Sequence, residues 1–536
     1  MFRKYVYLFI AALFMLGTLD THSEIAAQSG GTYRSVFRTG CMQGPLWTTC
    51  GHRLDMTVLQ PLVAIRWTAD SIQPMLAERW EMEGNGEAYV LHLREGVKWH
   101  DGAPFTADDV IFSLNAYANP QIASAWASKL QDVAGYADFR DGKATSLSGV
   151  TKVDEKTVRV ALASPSPLWV DLQLIFVVMM PNHILGEVPA DQLRGHPFWE
   201  NRVGTGPFKW SQYVPDQFIE VVRNEDYYEG APRLDRIIYQ IYADIPTILN
   251  ALSNGEVDDM SYEGGGIPET EVGRFLNQPN LTVLPQLNAG LPTYIQWDLS
   301  KQPFDDVRFR QAVLYAIDRD AIIESIYLGL YTRADTQFPQ AWARPEGLNA
   351  YPFNPDRARE LLAEMGWTPN SQPFDFIYYY TDNVTAEAMV AIQAYLADVG
   401  INIAPRLLDP AGIQAVYADK AFEMGFFANG QGLDPSLGRV LTTCGAQLAL
   451  GYCNERVDEL HQLGVSVADR DERAVYYHEI SRILNEDLQK GYLWYAARPL
   501  AFNNRVVGLA QHWLEQPLVL FNLPVYQEIH TWYIGE

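Results

Sequence analysis

The stretch Tyr89-Val-Leu-His-Leu-Arg-Glu-Gly-Val-Lys-Trp-His-Asp-Gly-Ala-Pro-Phe-Thr-Ala-Asp-Asp-Val-Ile-Phe-Ser-Leu114 decides how this chain is read. Tyr89, Leu91 and Leu93 alternate with Val90, His92 and Arg94, the period of a half-buried strand. His100-Asp101-Gly102 is a turn. Thr106 stands three residues before Asp109, ahead of the apolar run Val110-Ile111-Phe112. That spacing predicts a helix start, with a hydroxyl able to accept from a free backbone N–H and a carboxylate at the positive helix end. The local physics therefore gives strand, turn and helix.

With Pro74-Met-Leu-Ala-Glu-Arg-Trp-Glu-Met-Glu just upstream, the segment closely resembles the signature of the family 5 extracellular solute-binding proteins. These are the receptors that feed peptides, nickel, opines or oligosaccharides to ATP-driven importers. A second match is Pro303-Phe-Asp-Asp-Val-Arg-Phe-Arg-Gln-Ala-Val-Leu-Tyr-Ala-Ile-Asp-Arg319, read as a helix with acidic residues in its first turn. Gly204-Thr-Gly-Pro-Phe-Lys-Trp210 and Phe218-Ile-Glu-Val-Val-Arg223 resemble the family's hairpin. The resemblance extends over about residues 73–508. It implies an α/β, two-lobed periplasmic-binding-protein fold of class II type, with an extra subdomain in lobe I and a hinge between lobes. Lobe I is expected at 28–290, with its subdomain near 75–210 and a return at 498–536. Lobe II is expected at 291–497. A ligand is held between such lobes as they close, provided it binds the closed state better.

The N-terminus fits export. Arg3 and Lys4 precede an apolar run from Tyr5 to Leu19, and Ala26-Ala27 offers small residues before Gln28. Residues 1–27 are read as a cleavable signal peptide. No cysteine adjoins the cut, so a periplasmic protein without a lipid anchor is expected. Net charge is −25, and it stays there after cleavage because Arg3 and Lys4 balance Asp20 and Glu24. So acidic a surface argues against nucleic acid as a partner.

Four cysteines fall in two close pairs, Cys41 with Cys50 and Cys444 with Cys453. Three connectivities are open. Export favours local disulfides, with a metal site as the rival reading. The resemblance adds weight to Cys444–Cys453, because dipeptide-binding relatives carry a bridge at the matching place. Cys41–Cys50 has no such support.

Enzyme signatures are missing. No Gly-x-Ser-x-Gly occurs. His478-Glu479 is followed by Ile-Ser-Arg, which breaks the zinc-protease pattern, and Gly142-Lys143-Ala144 is no phosphate-binding loop. No two histidines stand three or four apart, so no helix face offers a paired metal site. His100 is read as structural. The expectation is a receptor with no catalytic residues, no cofactor and no metal. It would act as a monomer that hands its solute to an inner-membrane ABC permease with separate ATPase subunits. A chaperone or sensor using the same cleft is the rival class.

The site reading rests on Phe422-Glu-Met-Gly-Phe-Phe-Ala-Asn-Gly-Gln-Gly-Leu-Asp-Pro-Ser436. In peptide-binding relatives the matching strand end lines the cleft, and an aspartate pairs with the peptide's amine. Here Asn429 stands at that place. Dipeptide binders also hold the peptide carboxylate with an arginine, where this chain has Tyr378-Tyr379-Tyr380-Thr381. Both charged clamps are replaced by aromatic and amide groups: Phe426, Phe427, Asn429, Gln431 and Tyr379. Such groups suit a neutral, hydroxyl-rich solute or a peptide held by its backbone. Neighbours on a strand face opposite ways, so one of Phe426 and Phe427 should face the cleft. Trp47, Tyr262 and Trp342 are further candidates near the expected lobe junctions, with Trp297 beside them. A peptide-like solute is expected, with an oligosaccharide or opine-like one as the alternative and nickel or chaperone-like binding behind it.

Overall fold

The signature strand forms as the alternation predicts. The computed structural model describes residues 30–38, 42, 44–47, 52–65, 72–260, 266–284, 288–419, 421–429, 434–446, 449–497, 499–508 and 525–535. In it, strand Ala88–Leu93 buries Tyr89, Leu91 and Leu93. It pairs antiparallel with Ala77–Glu83 on one side and Thr157–Ala161 on the other, and Val150–Asp154 completes a four-stranded sheet. Helix Ala107–Ala118 follows. The Asp109 carboxylate accepts from the Thr106 backbone N–H at 2.8 Å, from Trp99 Nε1 at 3.2 Å and from the Asn182 N–H at 2.9 Å. Burial pushes its pKa up and these three donors oppose the shift.

Two motifs that lie about a hundred residues apart meet at His100. Its Nδ1 accepts from the Gly204 N–H at 3.1 Å, and its Nε2 lies 2.9 Å from the Gly206 carbonyl, to which it donates. Burial lowers the imidazole pKa to about 4, so the ring is neutral and fixed in one tautomer. Gly204 and Gly206 are required by close approach. A Cβ at either would fall within 1.8 Å of the Val58 oxygen or 2.3 Å of the Thr57 oxygen. His100 is structural, as its place in the turn suggests.

A second four-stranded sheet runs in the order Thr32–Arg38, Arg236–Tyr242, Phe218–Arg223, Phe208–Val214, the last two being the expected hairpin. Both sheets share one core, which also takes in Ile529 and Trp532 near the C-terminus. A smaller three-stranded sheet, Asp259–Met260, Leu500–Asn503 and Leu281–Leu284, packs with helix Ile245–Ser253 around Ile248, Phe275 and Ala501.

The other lobe is built on a six-stranded mixed sheet. Its order is Thr332–Arg333, Lys490–Ala497, Asn288–Trp297, Met424–Ala428, Phe374–Tyr378, Ile403–Leu407. Lys490–Ala497 is buried along nearly its whole length, which is why its sequence shows no alternation. Helices Val307–Ala316, Pro355–Glu364 and Asn383–Asp398 cover one face around Trp297, Phe309 and Ile392. Asn354 caps the second by accepting from the Arg357 N–H at 3.0 Å, the role that Asn-Pro predicts. The helix expected from Pro303 starts later, at Val307. Asp306 is its N-cap and accepts from the Arg308 N–H at 2.8 Å, so the acidic residues precede the first turn rather than occupy it. Among the described residues no helix is long and apolar enough to cross a membrane.

Candidate functional site

The two central strands of the six-stranded sheet dictate one wall of an interlobe cavity. Thr293 pairs with Ala428 and with Trp494, and Ile295 pairs with Phe426. Alternate residues share a face, so Leu291, Thr293, Phe426, Ala428, Trp494 and Ala496 all present to the same side. There they line a cavity of about 290 Å³. Tyr380, Asp382 and Thr385 close one end, from the junction between strand Phe374–Tyr378 and helix Asn383–Asp398. Tyr327 and Tyr331 close another. The opposite wall, Ile267, Pro268, Glu269 and Pro499, comes from the smaller-sheet side.

Five of the lining residues are aromatic, and Glu269, Thr293, Asp382 and Thr385 add polar side chains. Tyr327 and Tyr331 stack at 4.2 Å, Trp494 lies 5.0 Å from Tyr327 and 5.9 Å from Phe426, and Phe426 is 5.9 Å from Tyr380. Tyr380 is fixed by accepting from the Ala428 N–H at 2.8 Å. The Tyr331 hydroxyl donates to Glu269 Oε1 at 2.7 Å, a bond between the two walls. Burial, reinforced by the Glu269 charge, raises the Tyr331 pKa, so this phenol remains a donor. Asp382 accepts from the Thr385 N–H at 2.7 Å and the Thr385 hydroxyl at 2.9 Å, as the helix cap.

Phe426 lies on the cavity wall and Phe427 on the opposite face of the sheet, packed with Tyr294, Ile377 and Tyr492. Tyr379 stands just outside the cavity, stacked on Tyr380 at 4.3 Å. Asn429 follows the wall strand, and its N–H donates to the Pro292 carbonyl at 3.4 Å. Gln431 and Tyr262 lie outside the described residues, as do Cys41 and Cys50.

Two tryptophans are elsewhere. Trp342 packs beneath Arg473, 5.4 Å from the ring centre, and beside Tyr477 at 5.7 Å. Trp47 donates to the Ile122 carbonyl at 2.8 Å and meets Trp199 edge-on at 5.4 Å. Trp297 is fully buried and donates to the Leu488 carbonyl at 2.9 Å. Cys444 and Cys453 are bonded, with sulfurs 2.10 Å apart. Among the described residues no group of three or more His, Cys, Asp or Glu is placed to hold a metal.

The sequence reading does not single out Glu269, Tyr327, Tyr331, Asp382 and Trp494, which line the cavity. The first four sit in turns or at element ends, where no periodicity marks a facing direction. Trp494 sits in the uniformly buried strand.

The lobes also meet beyond the cavity. Asn85 Nδ2 donates to the Ser466 carbonyl at 3.2 Å. On the short helix Trp169–Gln173, Asp171 has its pKa raised to about 6, by desolvation first and then by the Asp434 carboxylate across the gap, with Arg473 opposing. Asp434 and Arg473 form an ion pair of 2.7 Å, with side chains only 12% and 5% exposed.

Residues 71–446 match the sequence profile described as bacterial extracellular solute-binding proteins, family 5 Middle. A Brucella ovis protein provisionally named an ABC transporter peptide-binding protein is 30% identical over 497 residues, spanning 89% of this chain and 90% of its own. Heme-binding protein A of Haemophilus influenzae is 30% identical over 452 residues, 80% of each chain. The oligopeptide-binding protein AppA of Bacillus subtilis, solved with a nonapeptide, shares the fold with a TM-score of 0.68 at 22% identity, over 95% of this chain and 100% of that one.

Proposed function

Since this chain belongs to the family 5 bacterial extracellular solute-binding proteins, we propose that it captures a peptide-like solute in the cavity around Phe426 and Trp494. It then delivers that solute to an ABC permease with separate ATPase subunits. The observation that carries this reading is the construction of the cavity. One wall comes from the six-stranded sheet, the other from the Ile267–Glu269 side, and the hydrogen bond from Tyr331 to Glu269 joins them. A site of this kind exists only when the lobes are together, so solute binding and closure are one equilibrium. The names of the Brucella and Bacillus relatives support a peptide. The Haemophilus influenzae relative is named for a different solute, heme.

The same reading takes residues 28–290 with 498–536 as one lobe and 291–497 as the other. It takes residues 1–27 as an export signal, and the working form as a monomer in the periplasm. The site residues on this reading are Phe426, Tyr380, Trp494, Tyr331 and Thr293, with Asn429 at the rim. The test is isothermal calorimetry against di-, tri- and nonapeptides, maltotriose and an opine, with small-angle scattering on any binder. A peptide that binds in the micromolar range or tighter and shrinks the radius of gyration is expected. Binding of maltotriose or the opine with no response to any peptide would overturn the peptide assignment.

A further inference from the structure

The wall strand Met424–Ala428 outruns the neighbour it pairs with. Strand Phe374–Tyr378 runs parallel to it, with Phe376 opposite Met424 and Ile377 opposite Gly425. The neighbour then ends, while the wall strand continues to Ala428. On the other side of the wall strand, the Asn429 N–H donates to the Pro292 carbonyl at 3.4 Å. Successive backbone groups of a strand point to opposite sides. The Ala428 N–H, one residue earlier, therefore points into the notch that the shorter neighbour leaves. A strand end with a backbone donor beside a cavity is a place where an extended chain can add itself to a sheet. Here the donor is already taken. The Tyr380 hydroxyl accepts from the Ala428 N–H at 2.8 Å and donates its own proton to the Tyr379 hydroxyl at 3.2 Å. The Tyr380 ring is held on two sides, stacked on Tyr379 at 4.3 Å and edge-on to Phe426 at 5.9 Å.

We infer that Tyr380 is a specificity-determining residue that withholds this backbone donor from the solute. A peptide in the cavity is then not registered against strand Met424–Ala428 as an added strand. It is selected by its outline and side chains against the rings of Phe426, Tyr380 and Trp494, which line the same cavity. A solute carbonyl that displaced the hydroxyl would exchange one hydrogen bond for another and would also have to move a packed ring. The net value of a neutral hydrogen bond is small even where nothing must be displaced. This inference rests on the cavity being the solute site.

The test uses calorimetry on the full chain with trialanine and with trialanine N-methylated at both peptide bonds, for the wild type and Tyr380→Ala. Methylation keeps the side chains and both ends but removes the N–H groups that strand pairing needs. The wild type is expected to prefer trialanine by less than about tenfold, and Tyr380→Ala, which opens the notch, should raise that preference by about fivefold or more. Binding confined to unmethylated trialanine and Tyr380→Ala would uphold the inference as well. A wild-type preference above that limit, or a smaller rise in the variant, would overturn it while leaving peptide binding intact. If neither peptide binds either protein, the peptide reading fails, and hydrogen exchange at the Ala428 amide in the wild type and Tyr380→Phe decides alone. The phenylalanine keeps the ring and removes the acceptor. Exchange faster by about tenfold or more in Tyr380→Phe upholds the occupied donor, and a smaller difference refutes it.

Discussion

Replacing Asp434 by alanine should destabilise the protein by about 3–5 kcal/mol, the range for breaking a buried ion pair from one side. Arg473 donates from Nη2 to Asp434 Oδ1 at 2.7 Å and from Nε to the Gly464 carbonyl at 2.7 Å. Its guanidinium lies 5.4 Å from the Trp342 ring centre and 5.5 Å from that of Tyr477. With the carboxylate gone, that charge stays buried among rings and one carbonyl. Asp434 also accepts from the Ser436 N–H at 2.9 Å and so caps the turn that begins at Pro435. Loss of the cap adds about 1 kcal/mol.

Urea unfolding followed by circular dichroism, with the slope held constant between variants, gives the difference directly. Asp434→Leu combined with Arg473→Met should recover most of the loss, because an apolar pair of similar volume needs no desolvation of charge. The cycle should show a coupling of about 2–3 kcal/mol, the upper end for contacting residues. A loss under about 1 kcal/mol for Asp434→Ala, or a double variant no better than the sum of the singles, would refute this account of the pair.

Three further outcomes follow from individual groups. Asp171 has a folded-state pKa of about 6 against 3.8 when free, so the folded protein binds more protons than the unfolded chain between those values. Stability should therefore fall as pH rises from about 4 to about 6, and Asp171→Asn should flatten that part of the titration; an unchanged profile in the variant would exclude Asp171. Lys490 is fully buried, with its pKa pushed down to about 7 by desolvation, and donates to the Leu441 carbonyl at 3.1 Å. The unfolded chain binds the extra proton above that pH, so stability should rise from pH 7 towards 9 by up to about 1.4 kcal/mol per unit; Lys490→Met should remove that rise, and an identical slope in both proteins would count against a neutral buried lysine. Reducing Cys444–Cys453, which are nine residues apart in sequence, should lower stability by about 2–3 kcal/mol on the loop-entropy model; unchanged urea midpoints with and without reductant would contradict it.

Local features of the fold were legible where one segment carries its own instructions. The 89–93 alternation, the Thr106–Asp109 spacing and the Asn354-Pro355 cap each act within a few residues, and the structure forms strand, helix start and cap at those places. The Phe426–Phe427 alternation was legible as well, but which ring faces the cavity depends on the register of Thr293 opposite Ala428. That register is set by a partner strand more than a hundred residues away. Trp342 and Trp47 do not line the cavity, and their sequence context could not decide this. An aromatic near a junction carries no directional signal, and the partners that settle Trp342, Arg473 and Tyr477, lie on a later helix.

The signature that reveals the family is a structural one, and this explains why it names a class without naming a solute. Asp109 ties Thr106, Trp99 and Asn182 together, and His100 bridges Gly204 and Gly206. None of these residues lines the cavity. Each fixes a backbone geometry that few other residue types could fix: a neutral buried imidazole using both nitrogens, and glycines pressed against the carbonyls of Thr57 and Val58. The cavity has no such demand. Its walls combine aromatic surface with polar side chains, supplied from positions as far apart as Glu269 and Trp494. The cross-wall bond from Tyr331 to Glu269 joins residues 62 apart with no shared motif. On the proposed reading, solute choice lies in such long-range pairings and not in the signature. An exchange at position 269 should therefore leave the His100 and Asp109 arrangements, and the fold they hold, as they are.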